Sequence, residues 1–71
     1  MAAPTTAEVF MELDRMRLAE ATGLEHLEPL AARLGLSAAD AAYAVAGAQQ
    51  RLAALTVAVE HFRQLAEGRA D

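Results

Sequence analysis

Residues 37–67 read SAADAAYAVAGAQQRLAALTVAVEHFRQLAE. Within them Ala41, Val45, Ala48, Leu52, Leu55, Val59, Phe62 and Ala66 recur at steps of four and three without a break. That is the a/d spacing of a helix that packs one narrow seam against another helix. Ser37 can cap its start, and Asp40 biases the first turn toward the positive end of the helix dipole. Gly68 follows and can close the end. A helix over about 38–67 is therefore expected, about 45 Å long at 1.5 Å per residue.

The rest of the chain must supply the surface for that seam. Thr5 and Glu8 have capping-box spacing, so after a loose start over residues 1–4 a first helix should run from about Thr6 to Ala21. Val9, Phe10, Leu13 and Met16, then Ala19, Ala21 and Leu24, mark its apolar side. Gly23 interrupts, and Thr22 with Glu25 repeats the capping-box spacing. Leu24, Leu27, Leu30, Ala31 and Leu34 make a dense apolar face with Pro29 in its middle. Proline inside a helix removes an amide and clashes with the preceding turn, at a cost of about 3 kcal/mol. The first arm is thus either kinked or broken near Gly23–Pro29, and a break with a short restarted helix is preferred. Gly35 ends the arm and Leu36 leads to the Ser37 cap. The expected fold is all-α: one small domain, residues 1–71, forming an antiparallel helical hairpin of two to three helices.

Composition narrows the function. A chain of 71 residues is marginal as an isolated core and leans on regular helix packing or a partner. It has no cysteine, which removes disulfides and thiolate metal sites. The net charge is −4, and the six basic residues, all arginine, are scattered at 15, 17, 33, 51, 63 and 69. No face collects them, which argues against nucleic acid and against an anionic membrane surface. No apolar run approaches the roughly 20 residues that span a bilayer. The N-terminus lacks the basic start and apolar stretch of a signal peptide. A soluble, cytoplasmic protein is expected.

Catalytic chemistry finds no foothold. His26 and His61 each follow a glutamate, but neighbouring helical residues point about 100° apart, so neither pair converges on one ion. Ser37 is explained as a cap, Glu25 and Glu28 as a solvated face, and no glycine-rich loop could cradle a phosphate. No enzyme, cofactor or metal is expected. The run Leu30–Ser37 has the spacing of a helix-turn-helix turn, which keeps a DNA-binding or regulatory domain as an alternative. The helix after it would present Ser37, Ala38, Ala39, Ala42, Tyr43 and Ala46 to the bases, and none of these is a residue that reads base edges well.

A second stripe on the long helix is more informative. Ala39, Ala42, Ala46, Ala53 and Val57 recur at helical spacing, with Tyr43 beside them. Val57 lies about 160° around the helix from Val59, so it cannot share the seam. From Ala38 to Ala48 the only charge is Asp40. Alanine as simple helix filler would explain part of this. Tyr43 and Val57 favour a docked protein partner, with Ala42, Tyr43, Ala46, Ala53 and Val57 as the binding residues. The same stripe could instead meet its own copy in a homo-oligomeric bundle.

Residues Tyr43 to Phe62 carry a resemblance. A tyrosine early in a long final helix, alternating small and large aliphatic residues, and the ending Val57-Ala58-Val59-Glu60-His61-Phe62 are similar to the C-terminal helix of the YscE-type co-chaperones of type III secretion needles. Chain size and hairpin plan are similar too. The resemblance implies a cytoplasmic co-chaperone. It would act beside a helical-repeat chaperone to keep the needle subunit monomeric until export. The physical logic is that a polymerising amphipathic helix stays soluble when its apolar face is covered.

Overall fold

The computed structural model describes residues 3–68, and these form two helices, α1 (Thr6–Leu34) and α2 (Ala38–Gly68), packed against each other as a hairpin. The hairpin is an elongated slab of 52 × 24 × 16 Å. Of the expected loose start, Met1 and Ala2 lie outside the described residues, while Ala3 to Thr5 are non-helical.

Local chemistry sets most of the helix ends. Thr5 Oγ1 accepts from the Glu8 amide at 3.1 Å, and Glu8 Oε1 accepts from the Thr5 amide at 3.0 Å, a reciprocal capping box. At the other end Gly35 adopts φ 74°, the left-handed conformation that a side chain resists. Its amide reaches Ala32 O at 3.2 Å and the Leu36 amide reaches Ala31 O at 3.1 Å, which is the Schellman pattern. Ser37 Oγ then accepts from the Asp40 amide at 3.1 Å and starts α2. Only Gly35, Leu36 and Ser37 separate the helices, which forces them to run antiparallel. Among the described residues the left-handed closure is at Gly35 and not at Gly68, which lies within α2.

The first arm corrects the sequence reading. It is one continuous helix, Thr6–Leu34, with Pro29 inside it and no break near Gly23–Pro29. Thr22 does not cap a second start, because its hydroxyl donates to Leu18 O at 3.0 Å within the same helix. The continuity has a physical basis. Pro29 already has the φ a helix needs, and the Glu25 carbonyl it deprives of a donor belongs to an exposed turn open to water. Leu24 and Leu27 before the proline and Ala31 after it are all drawn into the contact with α2. Packing on both sides holds the helix through the defect.

The seam of α2 is largely the one its spacing predicts. Ala48 and Val59 are buried, and Ala41, Val45, Leu52, Leu55 and Phe62 are half-buried. Near the C-terminus Ala66 is exposed and Leu65 takes part of its place. Leu55, one of the expected seam residues, is only half-buried. On α1 the half-buried set includes Val9, Phe10, Leu13, Ala21, Leu24 and Leu27, with Ala31 buried. Met16, Ala19, Leu30 and Leu34 were part of the expected apolar face but are exposed. One partner helix covers a narrow arc, and these four lie about 60–120° to one side of it.

Candidate protein-interaction surface

The residues singled out on α2 are all exposed. Tyr43 stands 84% accessible and Val57 70%, and Ala42, Ala46 and Ala53 are open as well. Tyr43 and Val57 are four turns apart, about 21 Å along the axis, and within about 40° of each other around it. Ala42 and Ala46 sit nearer the seam. They line a shallow groove of about 400 Å³ with Ala38, Ala41, Val45 and Gln49 of α2 and Glu28 of α1. The stripe therefore has two parts. One borders a groove shared by both helices, and the other, carrying Tyr43 and Val57, faces directly away from α1.

The groove is apolar along its α2 wall except at Gln49, and Glu28 supplies the polar group on the α1 side. Charges elsewhere are mostly spent within single helices. Arg63 Nε donates to Glu60 Oε2 at 3.0 Å, and its Nη1 donates to Glu67 Oε1 at 2.9 Å. The Arg63 hydrogen bonds hold the Glu60 carboxyl below the usual carboxylate range, and the two glutamates push the guanidinium pKa up. Arg15 pairs with Glu12. Arg17 Nη2 donates to Asp14 Oδ1 at 2.7 Å, and both side chains are half-buried. Arg69 lies outside the described residues.

His26 and His61 are both exposed and belong to different helices. Among the described residues no three histidine, aspartate or glutamate side chains are grouped to hold a metal ion. No helix among them is long and apolar enough to cross a membrane.

The largest departure from the sequence reading is how much apolar surface is left open. Among the described residues the buried apolar ones are Ala31, Ala48 and Val59, and no large side chain is fully buried. Met11 and Leu18 are 67% and 52% exposed on the outer side of α1. Their spacing of seven is a signal that was available in the sequence. No family model matches the chain, and no curated protein or solved structure matches it significantly.

Proposed function

We propose that this hairpin is a non-enzymatic protein-interaction module whose α2 receives a partner on Ala42, Tyr43, Ala46, Ala53 and Val57. The observation that carries the reading is the exposure of Tyr43 and Val57 on the side of α2 turned away from α1. A tyrosine and a β-branched residue there lose nothing inside the hairpin if replaced, and they suit a contact that excludes water. The charge-poor stretch Ala38–Ala48 lets another backbone come close, with Asp40 its one ionised group. The narrower reading is a co-chaperone that, beside a helical-repeat chaperone, keeps a secretion needle subunit monomeric. It rests on the resemblance of Tyr43–Phe62 to the YscE-type helix.

Ala46→Glu tests the surface. Glutamate is a good helix former at this exposed position, so far-UV circular dichroism should stay near wild type. Capture of a needle subunit and its chaperone should fall at least about tenfold, or roughly 1.4 kcal/mol, because a charge would be left poorly solvated in the contact. Undiminished capture by the folded variant refutes the surface. Capture of neither protein by the wild-type chain refutes the co-chaperone reading.

A further inference from the structure

Two broad faces flank the seam, and one contact marks each. The bond from Arg51 Nε to Glu20 Oε1, 2.8 Å, lies on one, and the groove bordered by Glu28 lies on the other. Counting about 100° per residue from the seam, Met16, Leu30 and Leu34 of α1 fall on the Glu20–Arg51 side. Ala58 and Leu65 of α2 fall on that side too. The first three are 46%, 40% and 67% exposed, and the other two are half-buried. Both helices thus turn apolar side chains to this face, and the hairpin covers it only in part.

Charge tells what fits there. Glu20 is matched by Arg51, and Glu12, on the same face, by Arg15. Asp40 is the remaining carboxylate and sits in the first turn of α2, where the helix dipole already favours it. An apolar face neutralised from within can meet its own copy without opposing like charges. The other face cannot, since among the described residues neither Glu25 nor Glu28 has an ion-pair partner.

Area points the same way. A compact monomer of 7.5 kDa exposes about 4,200 Å² by the usual scaling. This chain exposes 5385 Å². The surplus is of the order of the roughly 800 Å² that each partner gives up in an interface of standard size.

We propose that the Glu20–Arg51 face is a self-association surface, on which two copies of the chain pack as a four-helix bundle with two-fold symmetry. It is distinct from the Tyr43–Val57 stripe and leaves that stripe open, so it stands or falls independently of the partner reading.

Sedimentation equilibrium of the purified full chain, with no partner added, tests it. The expected mass is twice 7.5 kDa. Met16→Glu and Leu30→Glu should each weaken the dimer at least about tenfold, while Val57→Glu leaves it intact. A second readout does not depend on how the glutamate variants fold. The photo-crosslinking residue p-benzoylphenylalanine placed at Met16 should join two copies, and placed at Tyr43 should not. A chain that stays monomeric overturns the proposal. So does a dimer dissociated by Val57→Glu and not by Met16→Glu, or one crosslinked through position 43 and not 16.

Discussion

Arg51 Nε donates to Glu20 Oε1 at 2.8 Å, tying together residues 31 apart in the chain. Every other ion pair among the described residues joins positions three or four apart on one helix. This contact alone reports the register of α1 against α2. With side chains 62% and 25% exposed, its coupling in the monomer should be about 0.2–1 kcal/mol and should fall as salt is added. A double-mutant cycle with Glu20→Gln and Arg51→Gln, run at concentrations where the chain is monomeric, measures it. Zero coupling at every ionic strength would mean that the apolar seam holds the register unaided.

Pro29 is a defect carried by packing. It is exposed in the last third of α1, and a helix-interior proline costs about 3 kcal/mol relative to alanine. Pro29→Ala restores the missing amide without touching the seam. Stability should rise by about 1–3 kcal/mol, seen as a higher urea midpoint with an unchanged slope. Absence of any gain would show that the helix already accommodates proline without strain.

The seam has little spare room at one place and more at another. Ala48 is 2% exposed, so Ala48→Leu should push the helices apart and cost about 1–3 kcal/mol. Leu55 is only half-buried, and Leu55→Ala should cost about 2 kcal/mol, the low end for such truncations. Thermal unfolding distinguishes the two. Equal tolerance of both changes would contradict the assigned seam.

Acid should loosen the helix ends first. Backbone and side-chain hydrogen bonds with Thr5 hold the Glu8 carboxyl below its ordinary range, and Arg63 does the same for Glu60. A carboxylate with a depressed folded pKa adds stability that is fully present above its unfolded pKa, about 4.3, and is lost as pH falls through the folded value. Helicity near both ends should therefore decline below about pH 4. Glu8→Gln should remove the N-terminal share of that decline. Amide exchange followed by NMR at Ala7–Val9 and Glu60–Gln64 resolves the two ends, and a decline confined to the middle of the helices would count against this assignment.

The sequence by itself determined the class, the turn and one side of the contact. Those features are local: the four-and-three spacing of Ala41 to Phe62, the Thr5/Glu8 box, the Gly35 turn and the Ser37 cap act over a few residues. Pro29 shows the limit. Its local cost favoured a break, and tertiary contact on both sides of it decided for a continuous helix. The fate of Met16, Leu30 and Leu34 was likewise a tertiary matter. Periodicity says which residues share a side of a helix, but the arc a single partner helix covers decides which of them leave water. The two faces of the slab, and the open apolar one marked by Glu20 and Arg51, exist only because two helices lie side by side. No single helix's pattern could show them.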